Sequence, residues 1–218
     1  MKARKRILVV DDHPLVRNGL CQAIGATSDL KVCGEAEGWR EALEKMSAAE
    51  PDLIVLDLNL KDGSGWSLLE QLHSSGQLCP VLVLSVCDEQ VYAQRVLKAG
   101  ARGYLMKDTP IKAVLLAIRK VLSGKLVLSE AMTSLMLEYA SSHGSSLSPV
   151  EQLSTRELQV YAMLGRGLSN KAIADNLGVS HKTIGTYKAR LMEKLGCRST
   201  PELISHAREL SDKHRLLD

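Results

Sequence analysis

The chain has 218 residues, 45% of them apolar, which suits one large or two small domains with a buried core. No uncharged apolar run is long enough to span a bilayer, and only four apolar residues separate the basic start, Met1 to Arg6, from Asp11-Asp12, so no secretory leader is expected. Net charge is +3 but uneven: residues 1–152 hold 17 Lys+Arg against 18 Asp+Glu, and residues 153–218 hold 11 against 7, so the basic second part is expected to meet a polyanion. The five cysteines form no C-x-x-C pair and read as reduced thiols of a cytosolic protein, not as a disulfide framework.

From Arg6 to about Ser123, short apolar runs alternate with amphipathic stretches. Ile7 to Val10, Leu30 to Ala36, Leu53 to Leu56, Val81 to Leu84 and Gly103 to Met106 read as strands. Helical patterns lie near residues 14–26, 39–49, 65–74, 89–99 and 110–123, with Pro110 expected in the first turn of the last. This alternation predicts an α/β doubly wound fold, a five-stranded parallel sheet with helices on both faces and right-handed crossovers. Residues 129–137 are expected to add one helix, and the Ser- and Gly-rich residues 141–149 to form a flexible tether. From Leu153 onward every segment has helical periodicity; Ser154 and Glu157 form a capping box, with Leu153 placed as its staple. The expected division is 1–124, a linker over 125–152, and an all-α domain of four helices over 153–218.

Polar residues at the ends of the strand runs carry the chemistry. Asp11-Asp12, Asp57, Ser85 and Lys107 each close or follow a strand, and in an open parallel sheet all carboxyl ends converge on one crevice. A single Asp after a strand is usually a loop residue or a helix cap; five such residues in this order point to a Mg²⁺ and phosphoryl site. Mg²⁺ favours oxygen ligands and needs one or two carboxylates beside a phosphate. Asp12 and Asp57 would supply these, with Asp11 acting through water. Lys107 would offer a point charge, Ser85 a hydroxyl donor, and Asp57 the nucleophile that becomes an aspartyl phosphate.

On Val9-Val10-Asp11-Asp12-His13-Pro14, Leu56-Asp57-Leu58-Asn59, Gly65, Leu84-Ser85 and Gly103-Tyr104-Leu105-Met106-Lys107, residues 5–123 resemble the receiver domain of two-component response regulators, a flavodoxin-like fold. The resemblance implies that Asp57 takes a phosphoryl group from a sensor histidine kinase, with Mg²⁺ held by Asp12, Asp57 and the Asn59 carbonyl. It implies also that Ser85 follows the phosphoryl group and that Tyr104 changes rotamer, altering the face built by the fourth and fifth helices. Three residues depart from the family pattern: Lys61 replaces a usual proline, Val86 a smaller residue, and Ser85 a commoner threonine. These are expected to tune the lifetime of the phosphorylated state.

Ser169 to about Gly196 reads as helix, turn, helix, with Ser169 and Ser180 as N-caps and Gly178 as the left-handed stop. Ile184, Tyr187, Leu191 and Leu195 share one face of the second helix; Lys182, Gly185, Thr186 and Ala189 share the other, flanked by Lys188 and Arg190. From His181 through Arg198 there are five lysines or arginines and one glutamate. A basic amphipathic helix usually presents only a solvated face, but small outward residues let a helix approach a groove floor while flanking cations reach phosphates. On Leu153-Ser154-Thr155-Arg156-Glu157, Gly167-Leu168-Ser169-Asn170-Lys171, Lys182-Thr183-Ile184 and Lys194-Leu195-Gly196, residues 153–210 resemble the LuxR-type helix-turn-helix of the NarL/FixJ subfamily. That resemblance implies binding to double-stranded promoter DNA through residues 182, 185, 186 and 189, and a homodimer on phosphorylation, through the last helix near Thr200 to Glu209.

The expectation is a cytoplasmic bacterial transcription regulator with no membrane partner, and with no enzymatic activity beyond self-phosphorylation and dephosphorylation at Asp57. An aspartyl-phosphate phosphatase would need a second Asp where Asn59 stands. A regulator controlled by a protein partner without phosphorylation is the alternative.

Overall fold

The structure, a computed structural model, describes residues 3–60, 63–76, 79–86, 89–130, 132–134, 149–150 and 152–215. The chain divides into two compact units, Met1–Ser141 and Ser142–Asp218.

The first unit is built on a sheet of five parallel strands in the order β2-β1-β3-β6-β7, with β1 at Lys5–Val10, β2 at Leu30–Ala36, β3 at Leu53–Leu56, β6 at Val81–Ser85 and β7 at Gly103–Met106. Every residue of β3 and β6 is buried, as is Ile7 to Val10 of β1. Continuous apolar runs of this kind are what a parallel sheet covered on both faces requires. Strand β2 lies at an edge and is only partly buried. Two short strands, β4 at Asn59–Leu60 and β5 at Gly63–Ser64, form an antiparallel hairpin just after the third sheet strand.

The sheet is accompanied by helices α1 Pro14–Gly25, α2 Trp39–Ala49, α3 Gly65–Ser74, α4 Glu89–Lys98 and α5 Ile111–Leu122. Leu20 and Ile24 of α1 and Val114, Ala117, Ile118 and Val121 of α5 pack with Ile7, Val9, Leu53, Val55 and Leu82 in one core. Pro14 opens α1 at its first turn. Pro110 does not do the same for α5: it is the N-cap, extended at ψ 137°, and its carbonyl accepts the N–H groups of Ala113 and Val114. A residue without an N–H loses nothing at that position, while its carbonyl closes the first turn.

Strand β7 has a neighbour on its outer edge. Val127 bridges to Gly103; its carbonyl accepts the Tyr104 N–H at 3.0 Å and its N–H donates to Arg102 O at 3.1 Å. A Cβ on Gly103 would meet Leu82 Cδ1 at 2.9 Å and Val127 Cβ at 3.0 Å, so the glycine is what allows this approach. Two residues on, the Ser129 N–H donates to Glu89 Oε1 at 3.0 Å. The helix expected over 129–137 falls only partly, and the tether over 141–149 almost wholly, outside the described residues.

Among the described residues the second unit holds four helices: α6 Thr155–Gly165, α7 Asn170–Leu177, α8 His181–Leu195 and α9 Thr200–Arg215. Ser154 and Glu157 make the capping box. Ser169 Oγ accepts the Ala172 N–H, Ser180 Oγ accepts the Thr183 N–H, and Gly178 sits at φ 62° between α7 and α8. Leu158, Leu164, Ile173, Leu177, Ile184, Leu191 and Leu203 are buried and form the interior. The buried Glu157 carboxylate also accepts a hydrogen bond from Lys194 Nζ at 2.7 Å, tying α8 to the start of α6. Among the described residues Cys21, Cys33, Cys79 and Cys197 are free thiols; Cys87 and Lys61 lie outside them.

Candidate phosphoryl-transfer site and DNA-binding helix

The strand order reverses direction between β1 and β3, and the carboxyl ends of these two strands flank the crevice where such sheets bind ligands. Asp11 and Asp12 follow β1, Asp57 follows β3, Ser85 ends β6 and Lys107 follows β7. Backbone bonds hold the rim together: the Asp57 N–H donates to Val10 O at 2.9 Å and the Lys107 N–H to Ser85 O at 2.9 Å.

Asp57 is 1% exposed. Its Oδ1 accepts the Ser85 hydroxyl at 2.9 Å and the Asn59 N–H at 3.1 Å, and its Oδ2 accepts Lys107 Nζ at 2.7 Å. The same ammonium lies 2.7 Å from Asp11 Oδ2, while Asp11 Oδ1 accepts the His13 N–H at 2.8 Å. Burial pushes the Asp57 carboxyl above its ordinary value, and the Lys107 charge and hydrogen bond oppose that shift without cancelling it. Burial also works against the charged form of Lys107, but the Asp57 and Asp11 carboxylates outweigh it and raise the ammonium's pKa.

Asp12 is different. Its Oδ1 is buried and accepts no hydrogen bond among the described residues, although His13 Nδ1 lies 2.8 Å away. One ligand atom from each of Asp11, Asp12, His13 and Asp57 falls within 4.8 Å of the others. An orphaned carboxylate oxygen beside two further carboxylates fits a divalent cation, which would take the place of the missing donors.

Tyr104 is fully buried in β7. Val86, next to Ser85, is 45% exposed. Gly65 opens α3 against the site: a Cβ there would lie 2.2 Å from the Asp57 carbonyl oxygen.

In the second unit, Ile184 and Leu191 turn inward from α8, with Tyr187 and Leu195 half-buried beside them. Lys182, Gly185, Thr186, Ala189 and Arg190 are exposed and Lys188 is partly so, giving a basic face with two small residues on it. A Cβ on Gly185 would meet nothing within 4 Å.

Two family models match this chain in tandem: the response regulator receiver domain over residues 7–119, and the bacterial regulatory proteins of the luxR family over residues 151–207. The chain is a response regulator of the NarL/FixJ kind. It is 34% identical over 208 residues to the oxygen regulatory protein NreC of Staphylococcus aureus, covering 93% of this chain and 96% of that one. Among solved structures it resembles the response regulator ChrA of a heme-sensing two-component system, at 28% identity and TM-score 0.52, covering 95% of this chain and 98% of that one. RcsB of Salmonella typhimurium, at 21% identity and TM-score 0.69 over 94% of this chain and 98% of that one, shares the fold. A receiver joined to a LuxR-type domain makes the response regulator a DNA-binding transcription factor of a two-component system. No helix among the described residues is long and apolar enough to cross a membrane.

The five polar residues expected to meet do so in this response regulator. His13 was not among them; its only signal in the sequence was its place directly after Asp11-Asp12, which by itself does not say where an imidazole turns.

Proposed function

We propose that Asp57 is the phosphoacceptor of a phosphorylation-switched transcription regulator, and that its modification by a sensor histidine kinase governs dimerisation and promoter binding. The observation that supports this best is the buried Asp57 carboxylate with Ser85 Oγ on one oxygen and Lys107 Nζ on the other. In the reaction an Asp57 carboxylate oxygen attacks the phosphorus of the kinase's phosphohistidine; the P–N bond breaks and its electron pair stays on the imidazole. Lys107, held between Asp11 and Asp57, carries the positive charge that the arriving phosphoryl oxygens need, and Ser85 offers its hydroxyl to one of them. Mg²⁺, held by Asp12, Asp57 and the Asn59 carbonyl with Asp11 acting through water, would neutralise the remaining phosphoryl charge. Tyr104 is the proposed switch residue, on the strand that carries Lys107. No separate substrate is turned over.

In the second unit Lys182 and Thr186 would read base edges, Gly185 and Ala189 would let α8 sit close to the groove floor, and Lys188 and Arg190 would contact phosphates. The protein is proposed to act on double-stranded promoter DNA as a homodimer. The test is capture of fragmented genomic DNA by the purified protein at fixed salt, with and without Mg²⁺ and beryllofluoride. Discrete sites enriched only with the phosphoryl mimic are expected. Equal enrichment in both conditions would overturn gating by Asp57 and favour control by a protein partner, and no enrichment in either would overturn the DNA assignment.

A further inference from the structure

We infer that Arg17, in the first turn of α1, is a positioning residue of the phosphoryl-transfer site, which holds the Asp11–Asp12 peptide so that both carboxylates meet Asp57. The inference rests on the reading of Asp11, Asp12 and Asp57 as the Mg²⁺ site given above. The β1–β2 ladder ends at the pair Val10–Ala36, after which the Asp11 N–H still donates to Ala36 O at 3.0 Å. The Asp11 carbonyl lies past that ladder and accepts from a side chain instead, Arg17 Nη1 at 2.8 Å. Arg17 Nη2 donates to Glu37 Oε1 at 2.8 Å, and its Nε lies 3.4 Å from Glu35 Oε2. One planar guanidinium thus reaches a backbone oxygen of the site and two carboxylates at the end of β2, in directions fixed relative to one another.

Burial sets this group apart from a surface ion pair: the Arg17 side chain is 12% exposed, although its two carboxylate partners are about half exposed. Those partners are themselves held from α2, where Glu41 Oε2 accepts the Glu37 N–H at 2.9 Å and Lys45 Nζ donates to the Glu35 carbonyl. Because a peptide is planar, fixing the Asp11 carbonyl also fixes the Asp12 N–H, and with it the direction in which Asp12 leaves the backbone. Asp11 is pinned on both sides, but only its carbonyl bond comes from a side chain, so only that bond can be removed by substitution. Asp11 in turn holds Lys107 Nζ at 2.7 Å, so a shift of this peptide reaches the ammonium beside Asp57 as well. Charge and position predict opposite signs. Loss of a nearby positive charge by itself strengthens the binding of a cation, whereas loss of an outer partner that orients the ligands weakens it by about 10–100-fold.

The experiment titrates the full-length wild type, Arg17→Ala, Arg17→Lys and Asp12→Asn with Mg²⁺ by calorimetry, and follows urea unfolding of each by tryptophan fluorescence. Arg17→Ala is expected to weaken Mg²⁺ by about tenfold or more. Arg17→Lys keeps the charge but not the fork, and is expected to recover only part of that loss. The half-saturating Mg²⁺ concentration for Asp57 modification by a small acyl phosphate is expected to rise with the dissociation constant, and the rate at saturating Mg²⁺ to change less. A purely structural ion pair would lower the urea midpoint and leave Mg²⁺ affinity unchanged; that result, or tighter Mg²⁺ binding by Arg17→Ala, would overturn the inference. If Arg17→Ala does not fold, wild-type Mg²⁺ affinity in Arg17→Lys overturns it equally. Failure of Asp12→Asn to weaken Mg²⁺ would instead overturn the reading of the site on which the inference rests.

Discussion

Gly65 offers a direct test of how tightly the phosphoacceptor segment is held. A Cβ at this position would sit 2.2 Å from the Asp57 carbonyl oxygen, 2.9 Å from Leu58 Cα and 3.1 Å from the Asp57 carbonyl carbon. All three are backbone atoms, so no rotamer change relieves the clash, and the start of α3 must retreat by about 1 Å to restore ordinary contact. That retreat strains the bond from the Gly65 N–H to Leu58 O, which is 3.0 Å long. Overpacking and a lost hydrogen bond together place the cost of Gly65→Ala at about 2–4 kcal/mol. The chain's two tryptophans, Trp39 and Trp66, both lie in the first unit, so tryptophan fluorescence in urea follows that unit's unfolding alone. A shift of about 1 Å in a group positioned for chemistry costs on the order of 100-fold in rate, and the rate of Asp57 modification by a small acyl phosphate, read by intact mass, is expected to fall by that order. A Gly65→Ala protein with the wild-type urea midpoint and the wild-type modification rate would refute the reasoning.

Other substitutions address the second unit and the surface. Lys188→Ala is expected to weaken binding to all DNA sequences alike and to reduce the slope of log affinity against log salt by about 1; an unchanged slope in a salt titration would remove Lys188 from the phosphate contacts. For Glu157, burial alone would raise the carboxyl, but the hydrogen bonds from Lys194 and Ser154 outweigh it and hold the group below its usual range. Its stabilising contribution is therefore present above the unfolded value of about 4.3 and is lost as the pH falls through the lower folded value. Glu157→Gln is expected to destabilise α6 by about 1–3 kcal/mol and to flatten that acid loss, measured by hydrogen exchange of α6 peptides corrected for intrinsic rate. The Arg119 hydrogen bond holds Asp29 near a pKa of about 2, yet both side chains are more than two-fifths exposed, so water screens the pair. Arg119→Ala is accordingly expected to cost no more than about 1 kcal/mol in urea unfolding, and a larger loss would mean that the pair does more than its exposure allows.

The sheet was legible because every strand but β2 is a short apolar run with a polar residue at or just after its end, and burial on both faces leaves no other place for Ile7 to Val10 or Val81 to Leu84. The site followed from the same fact: once the strands are parallel, their last residues must meet. What the sequence did not disclose depends on contacts between distant segments. Val127 reads as an ordinary apolar residue after a helix; that it pairs with Gly103 follows only when β7 is known to be an edge strand. The hairpin of Asn59–Leu60 with Gly63–Ser64 is two residues per strand, below the length at which alternation can be seen. His13 lies on no periodic pattern, and its direction is set by where β1 hands over to α1.

Gly185 shows the converse, a residue whose presence the fold itself does not explain. It lies in the middle of α8, where glycine costs roughly 1 kcal/mol relative to alanine. Of the two usual structural reasons for a glycine, neither applies: its φ is not positive, and a Cβ would meet no atom within 4 Å. Gly103 and Gly165 are different, since a Cβ at either would collide, with Leu82 and Val127 in one case and with the Ala207 carbonyl at 2.7 Å in the other. The cost at Gly185 is therefore not offset within the chain. Under the proposed DNA reading it is offset in the complex, where an exposed position without a side chain, one helical turn before the equally small Ala189, brings the axis of α8 nearer the groove floor. Base readout then falls to Thr186 and Lys182, with a larger share left to the shape and deformability of the DNA.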